Sequence, residues 1–326
     1  MGTTFNPNRT FGVEIETTTR LEEEDLARGI RQEFNNRGIN QTCHAEGYNH
    51  RTRAHWKIVP DGTVAGWEVV SPPLKGLEAK EEISAVLTAL RNLGCGVNIG
   101  TGLHVHHDAR GLTGKQIGMV LGTYAAFQPL LNYGVAQSRR GREFGGYNSI
   151  TSWNQMTASG SDKWDRVQTG TRRDGNFTNK QFAFGDRQMV GTVIRKFNHQ
   201  RNNSINVNSL QTHGTIEFRQ HQGTLNTTKI WSWILVTQSM VERSVQGIAK
   251  FPQPFQVELL QGRTHQRGEF YRFKRFIGII PKFNNQDAEA CEPYMWAFKQ
   301  LGKNIKKFAQ ESGLDHQTIG KGTLQA

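Results

Sequence analysis

Three cysteines in 326 residues are too few and too scattered to staple a fold. Cys43, Cys95 and Cys291 are odd in number, and no two are spaced Cys-x-x-Cys. That excludes a disulfide framework and a thiolate zinc site, and it fits a reducing compartment. Long apolar runs are also missing: no stretch reaches the roughly 18 residues that a membrane helix needs. Met1 to Thr10 is polar and lacks the apolar core of a secretory signal. There is no block of consecutive Lys/Arg and no internal repeat. These absences make a cytoplasmic globular protein the expectation.

What is present is a basic balance. Forty Lys and Arg stand against 28 Asp and Glu, a formal charge of +12. Such a surplus suits anionic partners: nucleotide phosphates, nucleic acid or an acidic protein surface. A scattered surplus is also what a solvated, soluble surface looks like. The basic aromatic stretch Phe270 to Phe276 is the one segment that raises a single-stranded nucleic-acid reading.

Hydrophobic periodicity divides the chain. Phe11 to Thr17 alternates as a strand, and Glu22 to Arg37 follows as a helix with Leu26, Ile30 and Phe34 on one stripe and Gly38 as its stop. Trp67 to Val70 reads as a second strand, closed by Ser71-Pro72-Pro73. Leu77 to Leu93 reads as a helix ended by Gly94, and Leu103 to His107 as a third strand. Thr113 is placed to cap a long helix reaching about Ser138, with a kink near Pro129. The stretch from about 139 to 187 is rich in Gly, Ser, Asn, Asp and Arg, an irregular insertion and candidate lid. Ser204 to Asn208 and Thr215 to His221 then read as a hairpin turning at His213-Gly214, and Asn226 caps an apolar helix from Thr227 to about Ala249. A further helix is expected from Pro293 to Gln310. The expected architecture is α+β: a largely antiparallel sheet with helices on one face. Residues 1–250 form the principal unit, and 251–326 a basic C-terminal extension.

Strand side chains alternate between faces. Glu14 and Glu16 therefore oppose Phe11, Val13 and Ile15. His104 and His106 oppose Leu103 and Val105, and Glu217, Arg219 and His221 oppose Ile216 and Phe218. Glu68 lies within Trp67 to Val70, and Asn206 opposes Ile205 and Val207. On neighbouring strands these acids would crowd together, at a cost in repulsion and desolvation that cations relieve. Oxygen ligands with an imidazole suit a hard divalent ion such as Mg²⁺ or Mn²⁺, and Arg219 suits a phosphate. Taken singly, Glu-x-Glu is usually a solvated sheet face and Glu-x-Arg a cross-strand ion pair. The repetition on four strands is what points to a shared site.

The blocks Phe11-Gly12-Val13-Glu14-Ile15-Glu16, Trp67-Glu68-Val69-Val70-Ser71-Pro72, Gly102-Leu103-His104-Val105-His106 and Gly214 to Asn226 resemble, in this order, the amidoligase family. Its relatives in the carboxylate–amine ligase superfamily include glutamine synthetase and glutamate–cysteine ligase. The resemblance spans about residues 11 to 249 and implies a glutamine synthetase-like catalytic fold. It also implies an ATP-dependent ligase that joins a carboxylate to an amine through an acyl phosphate. Glu14, Glu16, Glu68, His104 and Glu217 match metal-holding positions, for Mg²⁺ or Mn²⁺. Arg219 matches an arginine on the transferred phosphate of ATP, and His106 a position near nucleotide or substrate. Arg201 and Asn206 resemble phosphate or substrate contacts, and His221 joins them on the nucleotide side. The carboxylate and amine partners are small molecules, peptides or protein side chains. Many relatives come from phages and bacteria, which implies a bacterial or host cytoplasm. Two other readings of the residues remain open at this point: a zinc hydrolase built on His104, His106 and an acid, and a nucleic-acid-binding or structural protein on a ligase-like fold.

Overall fold

A computed structural model of the chain describes residues 5–62, 64–139, 181–182, 184 and 203–246. Arg201, nearly all of the 139–187 insertion and the whole 251–326 extension lie outside the described residues. So do the expected helix from Pro293 to Gln310, Cys291 and the stretch Phe270 to Phe276.

The chain opens with β1 (Phe11–Thr18), whose Phe11, Val13 and Ile15 are buried. Helix α1 (Glu23–Asn36) buries Leu26, Ala27, Ile30 and Phe34, a stripe with helical spacing, and carries Glu23, Glu24 and Asp25 in its first turn, where the helix dipole favours acids. Gly38, at φ 65°, ends it. The Ile39 amide donates to Phe34 O (2.9 Å) and the Gly38 amide to Asn35 O (3.1 Å), a paired C-terminal motif that needs a left-handed residue. Two short strands follow, β2 (Cys43–Ala45) and β3 (Trp56–Pro60), neither of them expected from the sequence. Then come β4 (Gly66–Val70) and α2 (Ala79–Asn92), the latter closed by the same motif at Gly94.

Strand β5 (Gly102–Asp108) leads into α3 (Gly114–Leu131). Thr113 does cap α3: its Oγ1 accepts from the Gln116 amide (3.2 Å), while Gln116 Oε1 accepts from the Thr113 amide (2.8 Å), a reciprocal capping box. The helix stops at Leu131 rather than near Ser138. Pro129 has no amide hydrogen to donate, and two short 3₁₀ turns, Asn132–Gly134 and Gln137–Arg139, take over. Strand β6 (Ile205–Asn206), the one-turn α4 (Ser209–Thr212), β7 (Thr215–Gln222) and α5 (Thr227–Val245) complete the described chain. Asn226 caps α5 by accepting from the Lys229 amide at 3.0 Å, and α5 ends at Val245, short of Ala249.

The seven strands form one sheet in the order β2-β3-β4-β1-β5-β7-β6. Only β2 and β3 pair in parallel, so the expected antiparallel α+β architecture holds. Helix α1 packs on α2, β2 and β3, while α5 packs on α2, α3 and β5. One continuous core joins these helices to Ile15, Ile58, Val69, Val105 and Phe218 from the sheet. No helix among the described residues is long and apolar enough to cross a membrane. The opposite sheet face is therefore where the polar side chains gather.

Candidate functional site

The cross-strand register brings the polar positions together. Glu14 pairs with His104, Gly12 with His106, Glu16 with Glu68, His106 with Glu217, and Glu217 with Asn206. Directly opposed residues share a face, so five neighbouring strands contribute to one cluster. Glu16, His104, His106, Asn206 and Glu217 are buried, and Glu14 and Glu68 partly so.

His104 is the centre of the group. Its Nδ1 lies 2.9 Å from Glu14 Oε2, 3.6 Å from Glu217 Oε1 and 4.0 Å from Glu68 Oε1, and its Nε2 lies 3.4 Å from Glu16 Oε1. His106 Nε2 lies 3.2 Å from Glu14 Oε1 and 3.9 Å from Glu217 Oε1. Its Nδ1 is 2.9 Å from Thr215 Oγ1, which sets the ring's orientation. Glu217 is held from two sides: Asn206 Nδ2 donates to Oε2 at 2.7 Å, and Arg219 donates to Oε1.

Electrostatics make the crowding explicit. Burial pushes the Glu68 carboxyl well above the usual carboxylate range, and the charges of Glu14, Asp61, Glu16 and Glu217 push it further. Burial acts in the same direction on Glu14. There the charge of His106 and the contacts of His104 and His106 win, and Glu14 stays well below that range. Burial would discharge His106, but Glu14 and Glu217 hold it above its ordinary value. One carboxylate is thus pressed toward protonation by its neighbours while another draws a histidine toward its charged form, an imbalance that a cation among them would relieve.

Among the described residues, three groupings have the spacing of a divalent ion's ligands, with atoms within 4.8 Å of one another: Glu14, Glu68 and His104; Glu14, His106 and Glu217; and Glu16, Asp61 and Glu68. His106 Nε2 is buried and makes no well-aligned hydrogen bond among the described residues, with the Glu14 carboxylate 3.2 Å away as its near neighbour. The donor set is mainly carboxylate with imidazole, which fits Mg²⁺ or Mn²⁺.

Asp61 and Arg139 escaped the sequence reading. Asp61 sits in the turn just after β3, and the Pro60-Asp61-Gly62 spelling is a turn signal that could have located the end of that strand. Arg139 stands first in the Gly-, Ser- and Arg-rich stretch that reads as an insertion. It is buried, its guanidinium donates to Gly100 O at 2.9 Å, and it feels the charges of Glu16 and Arg219.

His221 needs correction. Strand β7 carries a bulge: the pairing steps from Val105↔Phe218 to Leu103↔His221, so Arg219 and Gln220 together oppose His104. The extra residue reverses the alternation. His221 lands opposite the core residue Leu103 and packs on Trp233 of α5, with ring centroids 5.3 Å apart. It does not share the face of Glu217 and Arg219. Burial lowers its pKa to about 4. Above pH ~6.5 the ring is neutral in folded and unfolded chains alike; below that, only the unfolded chain takes the proton. His221 should therefore cost stability as pH falls from ~6.5, reaching about 3 kcal/mol near pH 4. Urea midpoints for wild type and His221→Phe across this range check it. The variant, which keeps an aromatic ring against Trp233, should show the shallower pH slope; equal slopes would refute the assignment.

A cavity of about 680 Å³ opens beside the cluster, with Glu14, Glu68 and His106 in one wall and His213, Arg51 and Arg53 among its other lining residues. The His213 ring meets that of His106 edge-on at 5.8 Å. The pattern of the family described as "putative amidoligase enzyme" matches residues 7–241, a span that contains every site residue above. No curated protein matches the chain.

Proposed function

The chain belongs to the amidoligase family, and from that premise we propose that it is an ATP-dependent ligase joining a carboxylate to an amine through an acyl phosphate. The observation that carries the proposal is the cluster itself: four glutamates and two histidines from β1, β4, β5 and β7, with Arg219 against Glu217.

In this reading Glu14, Glu16, Glu68, His104 and Glu217 hold Mg²⁺ or Mn²⁺, with Asp61 as a further oxygen donor. When bound, such ions neutralise charge on the phosphates of ATP. Arg219 binds the γ-phosphoryl group. Its guanidinium stays charged because Glu217, Glu14 and Glu16 outweigh its burial. The substrate carboxylate attacks the γ-phosphorus and ADP leaves. The amine nitrogen then attacks the acyl carbon, the C–O bond to phosphate breaks, and the amine gives up a proton. His106 borders both the cluster and the cavity, and in this reading it lies near substrate or nucleotide. Asn206 fixes the Glu217 carboxylate through its donated hydrogen bond.

The test is ATP turnover with Mg²⁺ or Mn²⁺ against panels of carboxylates and amines. Arg219→Ala should lower turnover about a hundredfold, as loss of one preorganised donor to developing charge typically does. Unchanged turnover and nucleotide affinity would remove Arg219 from the phosphate site.

A further inference from the structure

Helix α3 carries a buried polar stripe. Tyr124 and Gln128 lie four residues apart on it, and Asn132 follows four later, at the start of the first 3₁₀ turn. All three are buried, and the Tyr124 ring meets the core residue Phe218 edge-on at 5.6 Å. Apolar side chains at these positions would be buried at no polar cost. Polar ones are tolerated only where they find partners. Their partners are all on β7 or just before β6. The Tyr124 hydroxyl donates to Gln220 Oε1, and Gln220 Nε2 donates to Asn132 Oδ1. Gln128 Nε2 donates to Ser204 Oγ at 2.9 Å, and Ser204 O accepts from the Arg219 amide at 2.7 Å. One position on from His221, Gln222 Oε1 accepts from the Ala136 amide at 2.9 Å.

What these bonds grip is the bulge. Arg219 and Gln220 together oppose His104, and a strand ladder does not by itself say where an extra residue goes. A regular β7 would set Gln220 opposite Leu103 and His221 opposite Gly102, turning His221 out of the core. In the observed register Arg219 keeps the face of the cluster, where it donates to Glu217, and Gln220 is buried. The amide of Gln220 finds a donor for its oxygen and an acceptor for its nitrogen on the stripe of α3. A fully paired buried network of this kind selects one arrangement over its neighbours.

We propose that Gln220 is a positioning residue for Arg219: held between Tyr124 and Asn132, it pins the bulge of β7 and so fixes where the Arg219 guanidinium stands against Glu217. Ser204 completes the grip through the Arg219 amide, and Gln128 holds Ser204 in turn. The inference rests on the ligase reading for what Arg219 does to phosphate, and on hydrogen-bond geometry alone for the pinned bulge. A guanidinium aimed at a transferred phosphoryl group acts on the transition state. A small displacement therefore lowers kcat more than it weakens ATP binding.

Two variants of the full chain test it. Tyr124→Phe deletes one hydroxyl and keeps the ring against Phe218. The triple change Tyr124→Phe, Asn132→Leu and Gln220→Met removes the latch and strands none of its polar groups, so its thermal midpoint should stay near that of wild type. Amide hydrogen exchange reads the bulge. The Arg219 amide should exchange at least about tenfold faster in the triple variant, and faster to a smaller degree in Tyr124→Phe, while amides of β1 keep their wild-type rates. ATP turnover with Mg²⁺ and a stimulating carboxylate reads the consequence. In the triple variant kcat should fall at least about tenfold, with the KM for ATP changed less than about twofold, and Tyr124→Phe should move the same way by less. In an Arg219→Ala background the three substitutions should lower kcat no further. Unchanged exchange at Arg219 in both variants, wild-type kcat in the triple variant, or an equal further loss in the Arg219→Ala background would each overturn the proposal. Faster exchange at Arg219, in a chain whose wild type turns over ATP with no carboxylate, would leave Gln220 as the residue that fixes Arg219 and sink the ligase reading instead.

Discussion

Glu217→Gln is expected to lower ATP turnover by about a thousandfold, a loss at the upper end of what one preorganised polar group supplies. The change keeps the shape of the side chain and removes one negative charge, so a folding defect is not the expected cause. Glu217 is the point where the site's parts meet. Asn206 donates to one oxygen, Arg219 to the other, and His104 and His106 lie 3.6 and 3.9 Å from Oε1. A neutral amide offers a metal less, leaves Arg219 without its anionic partner and offers Asn206 an NH₂ where a carboxylate oxygen stood. Turnover within tenfold of wild type, in a variant with an unchanged thermal midpoint, would mean that Glu217 is not part of the reacting site.

Gly66→Ala should give the largest loss of stability for the smallest addition of atoms. A Cβ at this position would sit 2.1 Å from Thr17 O and 2.9 Å from Thr18 Cα. Both are backbone atoms of β1, so the strands must part rather than a side chain turn aside. The cost is about 3 kcal/mol, at the upper end of ordinary overpacking. Gly12→Ala is the control. Its Cβ meets nothing closer than 3.5 Å, and it should cost well under ~1 kcal/mol. Urea unfolding of the two variants would show the contrast; equal midpoints would mean that β1 and β4 are not in close register at Thr18↔Gly66. The same register sets Glu16 opposite Glu68, so Gly66→Ala should also weaken divalent-ion binding.

Much of this was readable in advance because alternation is a property of the strand itself. Glu14 and Glu16, or His104 and His106, fall on one face wherever β1 and β5 are flat and half-buried. Three features were not readable for identifiable reasons. Strand β3 is buried at Trp56, Lys57, Ile58 and Val59 in succession, so it shows no alternation, and with it Asp61 went unseen. The bulge at Arg219 and Gln220 adds a residue that no pattern in β7 announces, and His221 changed sides because of it. Arg139 stands at the edge of a polar stretch, and only the turn Gln137–Arg139 after α3 brings it back to Gly100. The four blocks survived these errors because each carries its chemistry within two or three consecutive strand positions.

The central claim is that the cluster activates a carboxylate by phosphorylating it, and the most direct measurement is hydroxylamine trapping. The full chain, ATP, Mg²⁺ and a carboxylate that stimulates ADP formation are incubated with hydroxylamine in place of the amine. Hydroxamate should then form in step with ADP, and neither should form with Glu217→Gln. ADP released without hydroxamate would contradict an acyl phosphate at this site.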